Sequence, residues 1–201
     1  MSLAILVTPI AKTVPTIEGA TYIGVDAGSL KIIEKKLPLA YAVGDFDSMD
    51  AKALETLKTQ SQCIIHPVQK DETDSELAIE LAMQLGCDPI VLWGALGKRI
   101  DHAIANMRLL MYRFPNLILQ DETQKIIRLD AGRHIIQNEY THCSFFAIQS
   151  STISLDGFLY PVDHRTIHCS DIYTVSNSIQ EEQAMVEVHE GSILCILSNE
   201  K

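Results

Sequence analysis

The chain has 201 residues, of which 47% are hydrophobic and 21% charged, enough for one large core or two small ones and too apolar for a disordered polypeptide. Its net charge of -10 leaves no basic stripe to neutralise phosphates, which argues against a nucleic-acid partner. No apolar run approaches the roughly 20 residues of a membrane helix, residues 1–7 lack the basic flank of a signal peptide, and the expected address is the cytoplasm, with no membrane partner.

Up to about residue 120, short apolar runs alternate with helical patterns. Strands are expected at 3–8, 21–25, 39–43, 62–68, 89–93 and 116–119, several of them continuously apolar, as strands covered on both faces are. One helix is expected to start at Thr73, which forms a capping box with Glu76, and to present Leu77, Ala78, Leu81, Ala82 and Leu85 before stopping at Gly86. A second is expected over 101–112 with Ile104, Met107 and Met111 at helical spacing and the two methionines as core, and a third over 49–59 with Ser48 as its cap. Trp93 reads as core. This alternation predicts an α/β Rossmann-like, mostly parallel sheet, whose ligands bind beyond the carboxyl ends of the strands.

From about Lys125 helical periodicity fades. Strand-like runs recur at 125–129, 134–137, 143–148, 166–169, 184–188 and 193–197, punctuated by turn signals at 130–132, 156–157, 177–178 and 190–191. These predict a small all-β sandwich or barrel, giving domains over 1–122 and 123–201 without a Pro/Gly/Ser-rich linker. Five cysteines spread singly fit reduced thiols better than a disulfide framework. His164, His168 and Cys169 have loosely metal-like spacing, but an exposed strand and its turn explain them more cheaply.

The chemistry concentrates where the first strands end. Asp26-Ala27-Gly28 follows the second strand, Gly44-Asp45-Phe46-Asp47-Ser48 the third, Lys70-Asp71-Glu72-Thr73-Asp74 the fourth, and residues 94–101, with Gly94, Gly97, Lys98, Arg99 and Asp101, the fifth. Singly, these aspartates are explained by turns and by helix N-terminal charge. Repeated along one sheet edge, like charges raise each other's pKa, so a carboxylate cluster implies a cation. Hard oxygen ligands, nearby Lys and Arg, and glycines that let backbone approach phosphate form a phosphoryl-transfer set using Mg²⁺. No Walker loop is present. His102 is expected to be a cap or core partner.

In this order, with Gly157-Phe158-Leu159-Tyr160-Pro161, Asn106 and Ser176-Asn177, the motifs resemble the thiamine pyrophosphokinase family over nearly the whole chain. The resemblance implies an α/β catalytic domain followed by a thiamine-binding β-sandwich, in a homodimer that holds thiamine between one subunit's catalytic domain and the other's sandwich. It implies Asp45, Asp47 and Asp74 as Mg²⁺ ligands with Asp71 close by. Asp26, Gly28, Lys70 and Arg99 would serve ATP, and Asp101, Ser176 and Asn177 would lie around thiamine. The implied reaction moves the pyrophosphoryl group of ATP to the thiamine hydroxyl and releases AMP. Two positions depart from the family pattern: Lys98 stands where glycine is common, and Ser178-Ile179 where an aromatic usually follows the Ser-Asn pair. Two alternatives remain. The Asp45 loop also resembles the nucleophile loop of haloacid-dehalogenase-type phosphatases, with Asp45 forming an aspartyl-phosphate, and a non-catalytic thiamine or thiamine-diphosphate sensor would keep the same fold.

Overall fold

The computed structural model describes residues 2–47, 49–97 and 99–199. The chain divides into two compact units, Met1–Leu109 with Asn116–Glu122, and Leu110–Pro115 with Thr123–Lys201.

The first unit carries six strands, β1 (Ala4–Val7), β2 (Thr21–Val25), β3 (Leu39–Gly44), β4 (Gln62–Ile65), β5 (Ile90–Trp93) and β6 (Leu117–Gln120). All pair in parallel, in the order β6-β5-β1-β2-β3-β4. Ile5 and Val7 of β1 enter a core with Tyr22, Ala42, Val91 and Trp93. Ala4 and Leu6, just as buried, project to the opposite face by the two-residue period of a strand. Burial on both faces is why these strands read as unbroken apolar runs.

Helices α1 (Gly28–Glu34), α2 (Ala51–Gln60), α3 (Asp74–Gln84) and α4 (Ile100–Arg108) connect the strands. Ile32 of α1 and Leu57 of α2 join the Ile5–Val7 core, whereas α3 packs across β1, β2, β3 and β5. Helix α3 begins as expected, with the Thr73 hydroxyl accepting from the Glu76 N–H at 3.2 Å. It ends in a Schellman motif: Gly86, at φ +72°, donates to Met83 O and Cys87 donates to Ala82 O.

Several expectations need correction. The capping oxygen of α2 comes from Asp50, which accepts from the Ala53 N–H at 2.8 Å, and Ser48 lies outside the described residues. The buried stripe of α3 is Ala78, Ile79 and Ala82, while Leu85 is exposed. Small residues let a helix sit close to a sheet, so the inward face centres on the alanines. In α4 the buried positions are Ala103 and Asn106, and Ile104 points to solvent. The helix passes at Leu109–Arg113 into a π-helical turn, which shifts the phase of the buried face. Met107 and Met111 are half-buried. Helix α1 was not anticipated; its seven residues are too few to show a helical period.

The second unit is strand-rich: β7 (Gln124–Gln137), β8 (His142–Ala147), β9 (Ser151–Asp156), β10 (Val162–Ile167) and β11 (Gln183–Ser198). Strand β11 pairs antiparallel with β7 along its length, with β9 through its first half and with β8 through its second. The expected turns at 130–132 and 190–191 are not turns. They face each other as an irregularity between two continuous strands, with Gly132 and Gly191 both at positive φ. The buried side of β11 changes phase there, from Ala184, Val186 and Val188 to Ile193, Cys195 and Leu197. Both halves line one core, with Phe145 and Phe158 meeting edge to face at a centroid distance of 5.6 Å. Strand β9 was also missed, although Ile153 and Leu155 alternate inward as a strand requires. Among the described residues no helix is long and apolar enough to cross a membrane.

Candidate active site

The order of the first sheet fixes where a ligand can bind. Chain progress runs outward from β1 through β2 and β3 to β4, then returns to the far side of β1 with β5 and β6. The loops after β1 and β5 therefore diverge, leaving a crevice at the carboxyl edge. Asp26, the Asp45-Phe46-Asp47 turn, the Lys70–Asp74 segment and the Gly94–Gly97 turn all follow carboxyl ends of parallel strands, so they share one rim.

A cleft of about 270 Å³ opens there. Asp26 and Asp74 supply carboxylates, Arg99 a guanidinium and His102 an imidazole, on walls that include Thr8 and Asn106. The loop after β5 is tied from two sides. The Thr8 hydroxyl donates to Gly94 O over 2.6 Å, and the Asn106 Nδ2 donates to Ala95 O over 3.0 Å. Both side chains are buried, where an unmade hydrogen bond is costly. A Cβ on Gly94 would sit 2.6 Å from Ala11 Cα, so only glycine lets the two loops approach this closely.

Backbone strain marks the acidic turns. Asp26 lies at φ +45° and Phe46 at φ +56°, a region that non-glycine residues seldom occupy. Phe46 is buried in the β1–β5 core and so anchors its turn, while Asp47 beside it is exposed. The Asp47 N–H donates to Asp45 Oδ1 at 3.2 Å, and Gly44 brings this turn against the Asp26 backbone. Lys70 Nζ lies 2.8 Å from Asp74 Oδ1. Arg99 and Asp101 form an exposed pair at 2.6 Å. Their hydrogen bond raises the guanidinium pKa and lowers that of the Asp101 carboxyl.

The structure thus brings Asp26, Asp74 and Arg99 into one cavity. Asp45, Asp47, Lys70, Asp71 and Asp101 sit on the same rim without lining it. Gly28 is held by packing, since a Cβ there would lie 2.0 Å from Val7 O. His102 corrects its expectation: it is exposed and lines the cleft, neither a cap nor core. Thr8 was missed because a lone threonine after an apolar strand carries no local signal. Lys98 lies outside the described residues.

Ser176 and Asn177 belong to the second unit. The Ser176 side chain is exposed on a residue at φ +56°. Asn177 is buried and bridges two segments: its Nδ2 donates to Tyr160 O, and its Oδ1 accepts from the N–H groups of Tyr160 and Ser178. Ile179 faces the core and pairs with Phe158, so a side chain at 179 points away from the surface that carries Ser176. Tyr160, Ile172 and Tyr173 are exposed near this turn.

Among the described residues no three His, Cys, Asp or Glu side chains form a ready-made metal cage. Mg²⁺ is commonly held by one or two carboxylates plus substrate phosphates and water. Asp74 in the cleft, with Asp45 and Asp47 on its rim, fits that donor chemistry.

A family model for the thiamin pyrophosphokinase catalytic domain matches residues 17–139, and one for the thiamin pyrophosphokinase vitamin B1 binding domain matches 133–193. The chain belongs to the thiamine pyrophosphokinase family. Its relatives in this pyrophosphokinase family include the Bacillus subtilis thiamine pyrophosphokinase, 26% identical over 92% of this chain and 90% of the relative. A thiamin pyrophosphokinase family protein from Enterococcus faecalis superimposes with a TM-score of 0.89 at 26% identity, covering 100% of both chains. The Candida albicans thiamin pyrophosphokinase, 16% identical, shares the fold with a TM-score of 0.76 over 98% of this chain and 90% of its own. Membership in the thiamine pyrophosphokinase family makes the chain a pyrophosphotransferase. The phosphatase alternative rested on the Asp45 loop alone, whereas the family match runs through both units.

Proposed function

We propose that the chain transfers the pyrophosphoryl group of ATP to the hydroxyl of thiamine, giving thiamine diphosphate and AMP. The observation that carries this reading is the joining of Asp26, Asp74 and Arg99 in one cleft at the switch point between β1 and β5. Arg99 supplies a planar fork for phosphate oxygens, and Lys70 a point charge at the rim. Asp45, Asp47 and Asp74 would hold Mg²⁺, with Asp71 beside them. A bound Mg²⁺ neutralises polyphosphate charge that this acidic rim would otherwise repel.

Thiamine is placed by Asp101 and by Ser176, with Asn177 holding the turn that presents Ser176. We infer a homodimer in which the β-unit of one subunit meets the catalytic unit of the other, supported by the exposed apolar side chains near Ser176. The thiamine oxygen attacks the β-phosphorus as the bond to the bridging oxygen breaks. AMP leaves with that oxygen, and an acidic-loop carboxylate accepts the hydroxyl proton.

Incubation with ATP, Mg²⁺ and thiamine, followed by chromatography, is expected to yield AMP and thiamine diphosphate in equal amounts. ADP with thiamine monophosphate would overturn the reading.

A further inference from the structure

On the outer face of the second unit, β9 and β11 set chemistry-bearing side chains together. Ile153 and Leu155 of β9 face the core, so Ser154 faces outward; on β11, Ala184, Val186 and Val188 are buried, which turns Met185, Glu187 and His189 outward. Ser154 pairs directly with Glu187, and His189 follows two residues later on the same face. All three line a hollow of about 470 Å³ whose other walls include Pro161, Val162 and His164.

The contacts among them define a path for a proton. Ser154 Oγ lies 2.8 Å from His189 Nε2, and Glu187 Oε1 lies 4.0 Å from the other ring nitrogen, Nδ1. A carboxylate on that side favours the tautomer protonated on Nδ1, which leaves the Nε2 lone pair to accept from the Ser154 hydroxyl. Glu187 is itself fixed, accepting from Arg133 Nε at 3.0 Å. The competing acceptor for the hydroxyl, Asp163 Oδ1, is farther away at 3.1 Å and already accepts from His164 Nδ1 at 2.7 Å.

His164 completes the arrangement from β10, where the register shifts between Val162 and Arg165 and His164 takes φ +45°. Bulges re-aim side chains beside reactive sites, and left-handed backbone at a non-glycine residue persists only where its surroundings hold it. Here its N–H donates to Ser154 Oγ at 2.9 Å, and its ring stacks on His189 with centroids 4.0 Å apart and planes 13° from parallel. The stack fixes the plane of the His189 ring, and the N–H stabilises negative charge developing on Oγ.

A hydroxyl, a base within hydrogen-bond reach and a third group orienting that base make an activated nucleophile, recognised by geometry and not by sequence position. We propose that Ser154 is a nucleophile toward small carboxylic esters, with His189 as its general base and Glu187 as a positioning residue, in a reaction separate from pyrophosphoryl transfer. Ser154 Oγ bonds to the ester carbonyl carbon as its proton passes to His189 Nε2. The C–O bond to the alcohol then breaks, the departing oxygen takes that proton, and the acyl group stays on Ser154 against Pro161, Val162 and Met185. Water attacking the acyl carbon by the same route frees the acid and restores the serine.

The test incubates the whole chain with p-nitrophenyl acetate, follows p-nitrophenol by absorbance and locates acetyl groups by peptide mass spectrometry. The expected product is acetyl-Ser154, with release slowed about a hundredfold in Ser154→Ala and in His189→Gln. Both variants are expected to keep their circular dichroism and their pyrophosphoryl transfer. Nitrogen NMR is expected to show the His189 proton on Nδ1, and Glu187→Ala to move it to Nε2 while slowing acetylation. Acetyl groups confined to lysines, an undiminished rate in His189→Gln, a resting proton on Nε2, or parallel loss of pyrophosphoryl transfer would each overturn the assignment.

Discussion

The Thr8 hydroxyl donates to the Gly94 carbonyl over 2.6 Å, joining the loop after β1 to the loop after β5 where the sheet reverses direction. With Asn106 holding the next carbonyl, it fixes the floor of the cleft. Thr8→Val keeps the shape and removes the donor, leaving a buried carbonyl unsatisfied. Chemical denaturation is expected to show a loss of about 1–3 kcal/mol, with a fall in kcat, and Thr8→Ser is expected to restore most of both. Wild-type stability in Thr8→Val would show that the bond holds nothing in place.

Asp47 is exposed on a turn anchored by buried Phe46. Asp47→Asn removes charge without volume, and a surface change of this kind alters stability by about 0.5 kcal/mol or less. Turnover of ATP and thiamine is expected to disappear while the melting temperature stays put. Undiminished AMP formation would make Asp47 a turn former only.

Asn177 spends both polar ends of its side chain on the backbone of Tyr160 and Ser178. Asn177→Ala is expected to cost about 1–3 kcal/mol per polar group left buried without a partner and to raise the KM for thiamine, because Ser176 and Tyr160 lose their support. The KM for ATP is expected to hold steady, and a parallel rise in both constants would contradict this division of labour.

Burial pushes the Cys143 thiol up to about 11, and Cys195 shifts in the same direction for the same reason. A folded-state pKa above the unfolded value of about 8.5 favours the native state while the thiol is protonated. That contribution is complete below about 8.5 and is lost as pH rises toward about 11. Alkylation at mildly alkaline pH, read by mass spectrometry, is expected to modify exposed Cys169 first and buried Cys143 and Cys195 only after denaturation. Early labelling of Cys143 would show that its core opens readily.

Much of the fold was legible because it is written in neighbouring residues. The continuous apolar runs gave the six parallel strands, and Thr73, Glu76 and Gly86 gave both ends of α3. Other features depended on residues far apart. The Asp130-Ala131-Gly132 run looked like a turn, yet pairing with β11 carries a strand straight through it. Ile104 stands at helical spacing with Met107 and Met111, whereas the buried positions of α4 are Ala103 and Asn106.

From the sequence alone came the family, the class of chemistry and the acidic segments that carry it, since each motif is contiguous and its strand-end position follows from local pattern. Tertiary structure alone decided which of those residues share a cavity: Asp26, Asp74 and Arg99 do, with Thr8, His102 and Asn106 joining them. The physical reason is that side-chain convergence depends on strand order. Returning β5 to the far side of β1 brings together loops separated by some eighty residues, and only that arrangement sets Thr8 against Gly94.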